Sequence, residues 1–143
     1  MFFLFYEFEF FQPIDFLDLA NESYLKVYSF DSTPSAVKRT VMSRIYYATF
    51  LFVREWLIRK GYSSTKNDHT LIPEYISRNG PFSHAENQNI SSELRRLKKL
   101  RHQADYYINR NDCSRYGEYW INDDIDSAFE AARHIFQKFK RIK

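Results

Sequence analysis

The chain has 143 residues, a formal net charge of +3, one cysteine (Cys113), and 14 Phe and 11 Tyr against only 3 Gly and 4 Pro. These figures exclude an internal disulfide framework, a zinc-ligand spacing and the strongly basic make-up of a dedicated nucleic-acid binder, while leaving room for contact with RNA or an acidic partner. They favour one helical domain with its own core, in a reducing cytoplasm.

Residues 1–11 read Met-Phe-Phe-Leu-Phe-Tyr-Glu-Phe-Glu-Phe-Phe. They carry no basic leader region, hold Glu7 and Glu9, and are too short to span a bilayer, so no membrane segment is expected here. Alternation over Tyr6 to Phe10 predicts a short strand. Residues 1–12 are therefore read as an aromatic arm, folded over the domain's own apolar groove or forming a dimer, with a mis-assigned start codon as a third possibility; residues 13–143 form the domain. Pro13 to about Lys26 reads as the first helix, with Ile14, Leu17, Tyr24 and Leu25 inward and Asp15 and Asp18 near its positive end.

A second helix is expected from about Pro34 to Lys60, stopped by Gly61. It is apolar almost all round, which predicts the central position. Arg44 falls in phase with Val37, Val41, Ala48 and Leu51, and so is expected in packed surroundings. Tyr62 to Asp68 reads as a polar loop. A short helix follows at about His69 to Arg78, with Thr70 or Leu71 at the cap and Pro73 opening its regular part. Asn79-Gly80-Pro81 ends it, and Ser83-His84-Ala85-Glu86 has the pattern of a capping box for a fourth helix running to about Asn109. Arg110 to Tyr119 reads as a loop. Asn122 or Asp123 is expected to cap the last helix, whose stripe is Ile125, Phe129, Ala132, Ile135, Phe136 and Phe139. The architecture predicted is an all-α, antiparallel up-and-down bundle of four or five helices.

The fourth helix carries the main puzzle. Leu94, Leu97, Leu100, Ala104 and Ile108 make an apolar stripe, and Arg101 lies near its middle with Asp105 one turn on. A cation there is costly unless it is paired or has a purpose. Arg101 and Asp105 can pair within the helix and face Tyr46 or Tyr47. Buried, the pair would fix helix register. Exposed in a cleft, Arg101 would bind phosphate. Arg95, Arg96, Lys98, Lys99 and His102 give the opposite side a basic run, with Tyr106 and Tyr107 as stacking surfaces. Such a run most often means a solvated face, and it could also track a phosphate backbone.

Ser43-Arg-Ile-Tyr-Tyr-Ala-Thr-Phe50 and Leu100-Arg-His-Gln-Ala-Asp-Tyr106, taken together and in this order, resemble the HEPN superfamily. The branch in question has Arg-x-Tyr-Tyr-Ala on its second helix and Arg-x-x-Ala-Asp-Tyr on its fourth, and His69 matches its histidine at the start of the short middle helix. The resemblance runs from about Ile14 to Phe139. It implies a helical bundle, commonly a homodimer, associated with RNA. Members are metal-independent ribonucleases of toxin–antitoxin and phage-defence systems, or noncatalytic partners, often of a small nucleotidyltransferase. It implies no cofactor.

Catalytic members carry an Arg-x4–6-His signature. Arg96 precedes His102 by six residues and Arg95 by seven. Arg95 and His102 share a face, whereas Arg96 is turned ~120° from His102. The family's own arginine matches Arg101, however, and five residues beyond it stands Tyr106 where the histidine belongs. This leaves a degenerate ribonuclease site as the first expectation. An active ribonuclease using Arg95 or Arg96 with His102 is the second, and a purely structural partner subunit the third. Arg44, Tyr47, His69, Arg101, Asp105 and Tyr106 are expected to form either a structural network or a phosphate site.

Overall fold

The computed structural model describes residues 13–28, 35–106 and 110–142, with the side chains at 16, 23–28, 35–37 and 110–124 outside the description. The predicted strand at Tyr6–Phe10, the arm at 1–12, and Tyr107 and Ile108 lie outside these residues. Five helices are described: α1 (Pro13–Tyr28), α2 (Ser35–Arg59), α3 (Asp68–Asn79), α4 (His84–Tyr106) and α5 (Arg110–Lys140). Among the described residues there is no strand, and the protein is an all-α helical bundle.

α2 is the central helix, packed against α1, α4 and α5. Its Val41, Ile45, Tyr46, Phe50, Val53 and Leu57 are buried. Phe52 stacks on Phe136 at 4.1 Å between ring centroids, and Trp56 meets Phe139 edge-on at 5.0 Å. The C-terminal halves of α2 and α5 therefore lie together. α4 runs the other way: near the start of α2, Arg39 reaches the carbonyl of Ala104 close to the end of α4. The stripes on α4 and α5 face this core, with Leu94, Leu97, Leu100 and Ala104 buried beside Ile125, Phe129, Ala132, Ile135, Phe136 and Phe139.

Gly61 ends α2 as its sequence position suggests. Its φ is +102°, the Tyr62 amide donates to Leu57 O at 2.9 Å, and its own amide donates to Ile58 O at 3.0 Å. This is the paired-bond helix stop that favours a residue without a side chain. At the start of α4 the Ser83 hydroxyl accepts from the Glu86 amide at 3.2 Å. Only that half of the capping box forms, because the Glu86 carboxylate faces His134 and Lys138 on α5. Between α3 and α4 the Asn87 amide donates to the carbonyls of Gly80 and Phe82 and accepts from the Phe82 amide. A side chain at Gly80 would run into Asn87 and would stand 2.6 Å from Ile76 O.

Two expectations about boundaries and one about burial are corrected. Helix α5 begins at Arg110, so the predicted loop at 110–119 is helical and Asn122 and Asp123 are interior. Asn, Asp and Ser each cost a few tenths of a kcal/mol in a helix and Gly117 about 1, and no proline after Pro81 forbids the helix. α3 begins at Asp68, without a side-chain cap at Asn67, and Pro73 lies inside it. The Asp68 carboxylate anchors that start through the preceding loop, and the Pro73 carbonyl accepts from the buried Ser91 hydroxyl at 2.8 Å. Arg44, expected in the core, is exposed. At 100° per residue it shares a stripe with Thr40, Tyr47 and Leu51, on the margin of the apolar side.

Candidate functional site

The site forms where α2, α3 and α4 meet. Its base is a set of rings on one side of α2 and the start of α3. Phe50 stacks on His69 with centroids 4.0 Å apart, and Tyr46 stacks on both. Tyr47 meets Tyr46 edge-on at 5.4 Å. Because α3 packs along α4, with Lys98 Nζ donating to the Thr70 hydroxyl at 3.3 Å, His69 is brought to the Arg101 side of the bundle.

Arg101 caps these rings. Its guanidinium carbon lies 5.5 Å from the Tyr46 centroid, 5.4 Å from Tyr47 and 5.9 Å from Tyr106. Ring faces attract a cation, which is how this side chain, only 13% exposed, tolerates its place in an apolar stripe. Its expected partner Asp105 is present but loosely held, at 3.4 Å. Arg101 Nε is buried with no hydrogen-bond partner in the structure.

The hydrogen bond between Tyr46 Oη and His69 Nδ1 is short, at 2.6 Å. Burial, then the charges of Arg101, Lys98 and Arg54, hold the His69 pKa below its ordinary value, while burial raises that of Tyr46 against the opposing pull of Arg101. The phenol thus keeps its proton and the imidazole stays neutral near pH 7. The hydroxyl and Nδ1 share one hydrogen bond, whose direction follows the imidazole tautomer. Nδ1 of His69 is thereby engaged within the protein, whichever partner donates.

Arg95, Arg96, Lys99 and His102 are exposed on the outer side of α4. His102 does not face Arg101. Its ring lies against Tyr106, 4.8 Å between centroids, and Tyr106 is 63% exposed. Tyr106 therefore stands between the two sides of α4 that the sequence separates, touching Arg101 with one neighbour and His102 with the other. Among the described residues no three His, Cys, Asp or Glu side chains gather as a metal site would require, and no helix is long and apolar enough to cross a membrane.

Beside this cluster an open groove of about 500 Å³ follows one face of α2. Arg39, Thr40, Ser43, Arg44, Tyr47 and Leu51 line it, with Asp105 on the α4 side. Arg39 donates to the carbonyls of Gln103 and Ala104 at 3.3 and 2.9 Å, answering the negative end of α4. Ser43 donates to Asp105 Oδ2 at 3.4 Å. Sequence reading missed Arg39 and Ser43, since their partners lie on α4 more than sixty residues away and no local pattern announces them, and it missed Thr40 on the same face. It also gave no part to His134, which lies between two carboxylates of α4, 3.2 Å from Glu86 and 3.1 Å from Glu93, and ties α5 to α4. Searches of family models, curated proteins and solved structures find no match to this chain.

Proposed function

We propose that this protein is a HEPN-like, RNA- or nucleotide-associated member of a toxin–antitoxin or phage-defence type system, acting as a homodimer with a degenerate ribonuclease site. The observation that carries the proposal is the setting of Arg101. Five residues on, where a catalytic histidine would stand, is the phenol ring of Tyr106, and the nearby His69 has its Nδ1 taken by Tyr46. A metal-free ribonuclease needs a base within reach of the 2′-hydroxyl and a cation on the phosphate. The cations are at hand, while Nδ1 of His69 is engaged by Tyr46 and His102 lies on the outer side of α4, so binding without cleavage is the reading we favour. The exposed run of Arg95, Arg96, Lys99 and His102 supplies the electrostatic attraction, with Tyr106 as a stacking surface at its end.

Purified protein incubated with labelled tRNA or mRNA in EDTA tests this. The expected result is binding that weakens steeply with salt and leaves the RNA intact. Cleavage that survives EDTA and disappears in His102→Ala would replace this reading with an active endoribonuclease using Arg95 or Arg96 and His102. Absence of RNA binding, together with capture of a nucleotidyltransferase that is lost when residues 1–11 are deleted, would replace it with a structural partner subunit.

A further inference from the structure

We infer that the groove on α2 is a nucleotide subsite that recognises the ribose through Asp105 and Ser43 and the phosphate through Arg44. This inference rests on the RNA- or nucleotide-associated reading above and assigns it a place away from the outer face of α4.

The chemistry of the lining selects the ligand class. Arg44 and Asp105 face the groove from opposite sides, and Arg101 stands behind Tyr47, so the lining offers a cation for phosphate and a carboxylate for a hydroxyl. Ser43 Oγ, whose proton goes to Asp105, can accept a hydrogen bond from a sugar hydroxyl. Tyr47 and Leu51 give a partly apolar surface suited to a flat ring. A bare phosphate would be repelled by Asp105, whereas a sugar hydroxyl would be drawn to it. Asp105 accepts from Ser43 and Arg101 at 3.4 Å each, both through Oδ2. Among the described residues its Oδ1 has no such contact, and the side chain is 31% exposed. A carboxylate can accept about four hydrogen bonds, so a ribose hydroxyl has a place there.

The dimensions agree. Thr40 to Leu51 spans about 16 Å of helix at 1.5 Å per residue, enough for one or two nucleotides. The volume of about 500 Å³ lies within the range of small-ligand clefts. A 2′-hydroxyl donating to Asp105 is also the contact that distinguishes RNA from DNA. A free ribonucleotide and a single-stranded RNA offer the same phosphate, ribose and base.

The test measures binding of a fluorescent single-stranded RNA, the same sequence as DNA, and AMP to the full chain and to Arg44→Ala, Asp105→Asn and Ser43→Ala, with circular dichroism confirming the helical fold of each. Arg44→Ala is expected to weaken RNA about tenfold. Asp105→Asn is expected to reduce an RNA-over-DNA preference of roughly three- to tenfold to near unity, with Ser43→Ala acting in the same direction and serving if Asp105→Asn does not fold. RNA binding unchanged in Arg44→Ala but lost in Arg95→Ala/Arg96→Ala would overturn the subsite and leave the proposed function standing. AMP binding lost in Arg44→Ala, without RNA binding in any form, would support the subsite for a free nucleotide and overturn the RNA reading. No binding of RNA or AMP would overturn both.

Discussion

Two carboxylates of this bundle live under opposite conditions. Asp68, at the corner between α2 and α3, is 4% exposed. It accepts from Ser64 at 2.7 Å, from Tyr62 and the Thr65 amide at 2.8 Å, and from the Thr65 hydroxyl at 3.1 Å, with Arg54 Nε 3.2 Å away. Asp105, on the α2 groove, is about a third exposed and has two contacts of 3.4 Å through a single oxygen. The difference separates architecture from site. A carboxylate filled by its own chain holds a corner together, and one with an uncommitted oxygen beside an open groove is suited to a ligand.

The comparison breaks first at Asp68. Asp68→Ala removes a buried carboxylate that Arg54 and three hydroxyls share, and because water can reach these partly exposed partners it should cost about 2–3 kcal/mol in urea unfolding. The same corner shapes the alkaline and acid limits. Burial raises the Asp68 pKa, but the hydrogen bonds from Ser64, Thr65 and Tyr62 more than reverse this and hold it below its ordinary 3.8. Its stabilisation is therefore fully present above that value and is lost as pH falls through the lower folded one. Burial, then the hydrogen bond to Asp68, pushes Tyr62 up to about 12. From pH 10 upward the unfolded chain ionises first, so stability falls towards pH 12. Both limbs should shrink in Asp68→Ala. A cost below about 0.5 kcal/mol, typical of an ordinary surface position, would show that the corner does not depend on this carboxylate.

Arg101 comes next, and it sharpens the contrast because its support is aromatic. Arg101→Ala removes a cation from three tyrosine rings and is expected to cost about 2 kcal/mol. Arg101→Lys should recover only part, since an ammonium lacks the flat face that stacks on a ring. Asp105→Asn should cost under about 1 kcal/mol, as befits a long, partly exposed pair. Chemical unfolding of the three variants gives the order. A penalty for Asp105→Asn as large as that for Asp68→Ala would make both carboxylates structural.

The helices were legible where one physical rule dominated. The three- and four-residue spacing of Leu94, Leu97 and Leu100, and of Ile125, Phe129 and Ala132, marks buried faces because apolar burial overrides local preference. Gly61 marks an end because a positive φ is needed there. The start of α5 was not legible, since Asn, Asp and Gly prefer turns only weakly and tertiary structure can override them. Arg44 shows the limit of phase arguments. It shares its sector with apolar residues, and only the arrangement of the neighbouring helices leaves that margin of α2 open as a groove. The motif residues Arg101, Asp105, Tyr47 and His69 could be chosen from sequence. Their geometry could not, because His69 reaches Arg101 only through the packing of α3 on α4.

The smallest expected effect lies on His69. Burial first, then Arg101, Lys98 and Arg54, lowers its pKa from the ordinary 6.5. Its neutral form is the one the fold accommodates, so this contribution to stability is fully present above pH 6.5 and is lost as pH falls through the lower folded value. The ring signals of His69, followed by NMR during acidification, should report titration below 6.5. In Arg101→Ala the midpoint should rise towards the ordinary value, because one repelling cation is gone while burial persists. Tyr46→Phe removes the hydroxyl bonded to Nδ1 and should cost about 1 kcal/mol at neutral pH. Titration of the wild-type ring at or above 6.5 would contradict a neutral, hydrogen-bonded His69. The imidazole would then be available as a proton donor beside Arg101, and the contrast between filled and open groups would have to be redrawn on the ring side of the site.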